Sequence, residues 1–221
     1  MALDIQLTLS EPIARVVRSL REEATQPGLD GKPHHVGQHT MLSEPRAEML
    51  WRLARQLQAR NTLETGFAYG MSTLMLLDII ARSPGGRHTA IDPFQRSDFH
   101  GIGLGVVERS GMAAQFRLID QDSAMAMPDL IRAGERFDLI MIDGNHLFAG
   151  VFIDVVFGAK LCREGGLLVL DDLWMPSVQK TQRFIEHNMP WLRPIGVEHS
   201  GLAAYQCGKA INHRFDFFAD F

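Results

Sequence analysis

The sequence predicts an α/β protein with a doubly wound, mostly parallel sheet of seven strands. Short apolar runs alternate with helical stretches, and this alternation is typical of βαβ units in a sheet covered on both faces. An acidic or polar turn follows each run, at the sheet edge where open α/β proteins bind ligands. The apolar runs lie near 62–65, 88–92, 116–120, 137–142 and 166–170, and the helical stretches near 71–82, 101–111, 124–133 and 147–162.

Both ends of the chain add elements to this sheet. Ser10-Glu11-Pro12 and Ser43-Glu44-Pro45 each predict a helix start, with a hydroxyl N-cap, an acid and an early proline. Residues 191–198 and 202–208 predict two antiparallel strands joined by His199-Ser200-Gly201. We expect an N-terminal helix and lid segment over residues 1–42 and a ligand-binding domain over 43–221.

Composition and charge exclude several classes of protein. The 221 residues carry 22 Lys plus Arg against 26 Asp plus Glu, and 46% are hydrophobic. These values are typical of globular proteins and disfavour disorder and nucleic-acid binding. Cys162 and Cys207 form no CxxC motif, which excludes a disulfide scaffold and a zinc ribbon and suits a reducing compartment. With no basic signal segment and no long apolar run, we expect a cytoplasmic protein that does not contact membranes.

The segment from Leu63 to Ser72 predicts a cofactor-binding turn between a strand and a helix. Gly66 permits a tight turn, and Gly70 permits close approach of a ligand to the backbone. The GxxxG spacing differs from the GxGxxG of dinucleotide folds, and the Glu64 carboxylate would repel a diphosphate. That carboxylate suits an ammonium or a sulfonium, while Asp92, at the end of the next strand, suits ribose hydroxyls. Together these acids describe S-adenosylmethionine (SAM).

From about Leu42 to Cys207 the sequence resembles the class I SAM-dependent methyltransferases. The segments that carry the resemblance are Glu64-x-Gly66-x-x-x-Gly70-x-Ser72, Ile91-Asp92, Asp122-Ser123, the run from Phe137 to His146, and the run from Gly165 to Asp172. The resemblance implies a Rossmann-like methyltransferase fold and a set of cofactor-binding residues: Glu64, Gly66, Ala68, Gly70, Ser72, Asp92, Pro93, Asp122, Ser123 and Asp143.

Three carboxylates, Asp143, Asp171 and Asp172, follow two strands that we expect to be neighbours. Anions gathered in one crevice repel each other, and a divalent cation would relieve the repulsion. An all-oxygen ligand set favours Mg²⁺, Mn²⁺ or Ca²⁺ over zinc. Such a cation would lower the pKa of an acceptor hydroxyl and orient its oxygen. These three residues are therefore the predicted metal ligands.

The same carboxylates resemble those of metal-dependent small-molecule O-methyltransferases. The closest pattern is Asp143-Gly144-Asn145-His146…Asp154 followed by Asp171-Asp172. The catechol and caffeoyl-CoA branch has a lysine in place of His146 and an asparagine in place of the second aspartate. The resemblance implies methyl transfer to a hydroxyl of a small molecule. Asp143 and His146 are the candidate catalytic residues, and the pKa of an unperturbed histidine suits His146 as the general base.

Several alternatives remain open at this stage. Asp122 can cap a helix, Asp171 and Asp172 can bind loop amides, and His146 can be merely packed. A metal-independent N- or C-methyltransferase and a non-catalytic SAM-binding module are alternative functions, whereas an NAD-dependent dehydrogenase is disfavoured by Glu64. The histidines of the loop 26–42 favour a lid over a metal site. The aromatic C-terminal run 215–221 predicts docking onto the domain, the acceptor pocket or a second subunit, and a homodimer is possible.

Overall fold

The predicted α/β class and the seven-stranded sheet are confirmed. The computed structural model describes residues 8–197, 201–211, 213–214 and 216–221. Its strands are β1 (Thr25–Pro27), β2 (Pro33–His35), β3 (Asn61–Thr65), β4 (Arg87–Ile91), β5 (Phe116–Ile119), β6 (Phe137–Ile142), β7 (Cys162–Leu170), β8 (Leu192–Ile195) and β9 (Ala203–Cys207). Its α-helices are α1 (Glu11–Glu22), α2 (Glu44–Leu57), α3 (Met71–Ile80), α4 (Ile102–Arg109), α5 (Ser123–Arg132), α6 (Phe148–Leu161) and α7 (Pro176–Asn188).

The main sheet has the strand order β5-β4-β3-β6-β7-β9-β8. β4 pairs with β5 and β6 pairs with β7 in parallel, whereas β9 runs antiparallel to both β7 and β8. The predicted C-terminal hairpin is therefore present, although the connecting residues His199 and Ser200 lie outside the described residues. The chain divides into two compact units, Met1–Thr62 with Phe67–Gln121 and Leu63–Gly66 with Asp122–Phe221.

The first unit is organised around an apolar helix. Every residue of α3 is buried, as expected for a helix that is hydrophobic on all sides. Its single acid, Asp78, accepts hydrogen bonds from the Ser10 amide at 2.7 Å and the Trp51 indole at 2.8 Å. Arg82 pairs with the same carboxylate at 2.9 Å. Because Asp78 binds the amide of Ser10, it ties the start of α1 to α3, and the expected Ser10 side-chain cap does not form.

The second unit carries the strands that end in the acidic residues. β6 is a nearly continuous apolar run, which is typical of a parallel strand covered on both faces. β7 is longer than predicted because it begins at Cys162, before an irregularity in its pairing with β6. α6 contacts α5 and α7 as well as β6 and β7. The carboxyl ends of β6 and β7 thereby bring their acidic turns to one edge of this unit.

A short hairpin and one helix were not predicted from the sequence. The hairpin begins at Thr25, just before the predicted loop 26–42, and pairs Thr25 with His35 in antiparallel orientation. Its strands of three residues are too short to give a readable period. The helix is α7 (Pro176–Asn188), which is not among the predicted helical stretches. Its buried residues, Val178, Thr181, Ile185 and Asn188, are only half apolar, so the helical stripe is weak in sequence.

The described part of the C-terminal run docks onto the second unit. The Asn188 side chain accepts from the Ala219 amide and donates to the Ala219 carbonyl, both at 2.9 Å. Phe221 packs edge-on against Phe184, with ring centroids 5.1 Å apart, and Lys180 donates to the Phe221 carbonyl. Of the three predicted destinations for the tail, the structure shows the domain itself; Phe215 lies outside the described residues.

Candidate active site

The turn after β3 is held in a conformation that most residues avoid. Ala68 has φ of 45° and Gly70 has φ of 86°, and only glycine adopts such values without steric cost. Gly70 is the N-cap residue of α3, so its positive φ redirects the chain into that helix. Ser72, in the first turn of α3, is buried. The sequence predicts that Gly70 allows close approach of a ligand. Its positive φ alone already favours glycine at this position.

Asp92 fixes this turn from within the first unit. Its Oδ2 accepts from the Phe67 amide at 3.0 Å and the Ala68 amide at 2.8 Å, and its Oδ1 accepts from the Phe94 amide at 2.7 Å. A carboxylate oxygen has two lone pairs, so Oδ1 retains one acceptor position. Asp92, which the sequence predicts to bind the ribose, thus anchors the loop and has one acceptor position left for a hydroxyl.

Gly66 brings β3 and the turn after β6 into unusually close contact in the second unit. A Cβ atom at Gly66 would lie 2.1 Å from the carbonyl oxygen of Asp143, and the residue has φ of 86°. The Asp143 amide also donates to the Thr65 carbonyl at 3.0 Å. The contact that excludes a side chain at Gly66 is therefore with protein backbone.

The remaining predicted cofactor residues differ in exposure. Glu64 is fully buried in β3, whereas Asp122 is exposed and caps α5 by accepting from the Ala124 amide at 2.8 Å. The capping alternative for Asp122 is thereby confirmed, and Ser123 beside it is half-buried. Pro93 is half-buried, and the Phe94 ring next to it is exposed.

Three predicted site residues converge at the ends of β6 and β7. The Nε2 atom of His146 lies 2.9 Å from Asp172 Oδ2 and 3.8 Å from Asp143 Oδ1. One ligand atom from each residue lies within 4.8 Å of the others, an arrangement that can hold a metal ion. This cluster contains two predicted metal ligands and the predicted base. Asp171, the third predicted ligand, is buried, and its amide donates to the Ile142 carbonyl at 3.2 Å.

The charges in this cluster compensate one another. The pKa of Asp143 is raised to about 7, chiefly by burial; the charges of Asp171 and Asp172 contribute to the rise, and His146 opposes it. Hydrogen bonds to Asp143 and Asp172 raise the pKa of His146 to about 10. His146 is therefore protonated at neutral pH in this arrangement. It can serve as a base only if these carboxylates are engaged elsewhere.

A small cavity of about 10 Å³ opens beside the cluster. This volume is close to that of a single water-sized sphere. Its lining includes the residues Ile142, Asp143, Gly144, Asn145, His146, Val151, Leu170, Asp171 and Val178. The cavity thus adjoins Asp143, His146 and Asp171, whereas Asp172 is not among its lining residues.

Asp172 has a strained backbone that aims its side chain at the cluster. Its φ is 53°, which costs a non-glycine residue free energy and is concentrated at functional sites. The Trp174 indole donates to Asp172 Oδ1 at 3.0 Å, and Ser177 donates to the His146 carbonyl at 2.6 Å. Neither residue was predicted from the sequence, because Trp174 lies in the turn before α7 and Ser177 in the first turn of that helix. Trp174 is 69% exposed and presents an apolar ring beside the acids.

Asp154 is a buried acid beside the predicted cofactor residues of the second unit. It lies on α6 and is fully buried. Burial raises the pKa of Asp154 to about 6, although the hydroxyls of Ser123 and Thr65 lie close enough to oppose the rise. Neither of its carboxylate oxygens makes a well-formed hydrogen bond with the described residues. The ionised form of Asp154 is therefore costly in the folded protein.

A known domain family matches the part of the chain that contains these sites. The methyltransferase domain family matches residues 63–173, half of the chain, and includes the glycine turn and all the acidic strand ends. The chain belongs to this family. The predicted membership of the class I SAM-dependent methyltransferases is thereby confirmed. A separate comparison with the curated proteins found none that matches the chain.

Solved structures of methyltransferases share the fold over nearly the whole chain. An O-methyltransferase from Bacillus cereus in complex with SAH aligns with a TM-score of 0.68 and 20% identity, covering 92% of this chain and 94% of that one. The O-methyltransferase TomG from Streptomyces achromogenes, in complex with SAM, aligns with a TM-score of 0.66 and 22% identity, covering 93% of this chain and 92% of that one. SAH-bound PaMTH1 from Podospora anserina aligns with a TM-score of 0.65 and 15% identity, covering 91% of this chain and 89% of that one. The Rossmann-like methyltransferase fold is confirmed.

The helices were compared with the length and hydropathy that a membrane-spanning helix requires. In the part of the chain that the structure describes, no helix combines the length and the apolar character needed to span a bilayer.

The contact at Gly66 predicts a large loss of stability in Gly66→Ala. We expect this variant to lose roughly 3 kcal/mol or more of unfolding free energy, because positive φ and a severe overlap both act against alanine. Gly134→Ala is the matched control, since Gly134 has φ of 72° with nothing within 4 Å of its Cβ position. It should lose only about 1 kcal/mol. Equal losses in urea denaturation would contradict the close-contact explanation.

The pKa of Asp154 predicts a pH-dependent effect of Asp154→Asn. Because the folded pKa of about 6 exceeds the ordinary value of 3.8, the folded state binds more protons between those values. The carboxyl's contribution to stability is therefore present at low pH and lost as pH rises through about 6. The unfolding free energy of Asp154→Asn should rise relative to the wild type across that window, by about 2–3 kcal/mol. Parallel pH profiles in urea denaturation would contradict this assignment.

Proposed function

We propose that this methyltransferase transfers the methyl group of SAM to a hydroxyl oxygen of a small molecule with the help of a divalent cation. The observation that supports the proposal most strongly is the cluster of Asp143, His146 and Asp172, whose ligand atoms lie within 4.8 Å of one another. Its oxygen donors suit Mg²⁺ or Mn²⁺. The O-methyltransferases among the structural neighbours are consistent with a hydroxyl acceptor.

The residues proposed to bind SAM are those that the sequence predicts. They are Glu64, Gly66, Ala68, Gly70, Ser72, Asp92, Pro93, Asp122, Ser123 and Asp143. The remaining acceptor position on Asp92 Oδ1 is consistent with one ribose hydroxyl. Asp122 can keep its capping bond and still accept from an adenine amino group through its second oxygen.

In the proposed reaction a C–O bond forms as the S–CH₃ bond breaks, and SAH leaves. The hydroxyl proton must move to a base near the acceptor oxygen. A divalent cation held by Asp143 and Asp172 would lower the pKa of the acceptor hydroxyl and fix the direction of its oxygen. Asp171, which lines the adjoining cavity, is the further proposed ligand. If the two carboxylates bound the cation, the pKa of His146 would fall and its proton would pass to solvent, and the neutral imidazole could then accept the proton of the acceptor hydroxyl.

A metal-independent reaction is the second candidate, because one specific observation favours it. The protonated His146 pairs with Asp172 at 2.9 Å and already offsets part of the negative charge. In that case the three aspartates are structural, with Asp143 and Asp172 positioning the histidine, and an amine or carbon acceptor needs no cation.

Chelation separates these two candidates. With methyl-labelled SAM and a panel of phenols, catechols and sugar alcohols, the wild type should form labelled ethers. EDTA should lower this turnover at least about tenfold, because chelation removes the cation that lowers the pKa of the acceptor hydroxyl and orients its oxygen. Added Mg²⁺ or Mn²⁺ should restore the turnover. Asp172→Asn should give a similar loss that added cation does not restore.

Asp129→Asn serves as the control for that variant. Asp129 is an exposed acid on α5 paired with Arg132, and its substitution should leave turnover unchanged. Full turnover in EDTA would overturn the metal assignment and favour the second candidate. Labelled product methylated on nitrogen or carbon would overturn the hydroxyl assignment.

A further inference from the structure

The turn Phe67–Gly70 needs external support to keep its conformation. Ala68 is an ordinary L-residue with φ of 45°, a value that costs free energy unless surrounding contacts fix it. Its amide donates to Asp92, which holds one side of the peptide unit. The carbonyl on the other side requires a donor as well, because an unsatisfied buried backbone group is costly.

Gln95 supplies that donor. Its side-chain nitrogen donates to the Ala68 carbonyl at 2.7 Å and to Asp92 Oδ2 at 3.2 Å. One buried amide therefore contacts both the strained residue and the carboxylate that anchors it. Gln95 is fully buried, so water does not compete for these bonds.

The position of Gln95 is fixed in turn by a glycine of α4. A Cβ atom at Gly103 would lie 2.7 Å from the Ala68 carbonyl oxygen, 2.8 Å from the Phe67 ring and 2.9 Å from Gln95 Oε1. The helix can therefore approach the turn only because residue 103 is glycine. The Gly101 amide also donates to the Gln95 carbonyl at 2.6 Å, which ties the residue to the start of α4.

We propose that Gln95 is a positioning residue for cofactor binding. It holds the turn Phe67–Gly70 and the Asp92 carboxylate in the arrangement that receives SAM, without touching the cofactor itself. This inference rests on the proposed function, since it requires that the turn bind SAM. Neither glycine spacing nor strand-end acids indicated Gln95, because its role depends on a contact across the turn.

The test compares SAH affinity in two matched variants of buried glutamines. Gln95→Met keeps the side-chain length and removes the donor, so the dissociation constant for SAH measured by calorimetry should rise about tenfold. Gln26→Met is the control, because Gln26 is equally buried and binds Ser19 and Arg109 instead of the turn. It should keep the wild-type affinity even if it unfolds at a lower temperature. Amide exchange at Phe67 and Ala68 should accelerate only in Gln95→Met.

Gln95→Glu provides a second variant should the first fail to fold. An ionised glutamate cannot donate, but a protonated one can, so its affinity for SAH relative to the wild type should recover as pH is lowered. Gln95 variants that fold and bind SAH like the wild type would overturn the positioning role alone. A wild type that binds no SAH would overturn the cofactor role of the turn, and the positioning role with it.

Discussion

The close contact between Gly66 and the Asp143 backbone is the constraint on which the second unit's site depends. A carbonyl oxygen occupies the place where a side chain would begin, so the turns after β3 and β6 can meet only at a glycine. That contact fixes where Asp143 leaves the sheet. Since Asp143 and Asp172 follow neighbouring parallel strands, fixing one turn brings the acids together beside His146.

Backbone strain at a non-glycine residue occurs in each of the two units. Ala68 and Asp172 both have positive φ without being glycine; the hydrogen bonds at Ala68 are partly buried, whereas the bond from Trp174 to Asp172 is exposed. Gln95 and Asp92 support Ala68, while Trp174 donates to Asp172. Such conformations persist only where the surroundings over-determine them. The fold thus uses free energy from its packed interior to keep polar groups preorganised.

The sequence predicts the sheet well because buried parallel strands are apolar runs, and β6 agrees at both ends with the predicted 137–142. It also identifies the acids, because ligands bind at strand ends. The sequence does not predict the orientation of these side chains. Whether Asp171 or His146 joins the cluster depends on the side-chain directions in the turns after β6 and β7, and the second of these turns is strained at Asp172. Gln95 acts through a hydrogen bond to Ala68, which lies far from it along the chain, and Trp174 lies in a turn for which the sequence predicts no element.

Anomalous diffraction from crystals grown with SAH and Mn²⁺ would reveal whether a cation binds between the two carboxylates. We expect one Mn²⁺ peak at about 2.1 Å from carboxylate oxygens of Asp143 and Asp172, with SAH bound at the turn after β3. Crystals that contain SAH but show His146 still paired with Asp172, and no manganese between the carboxylates, would contradict this expectation.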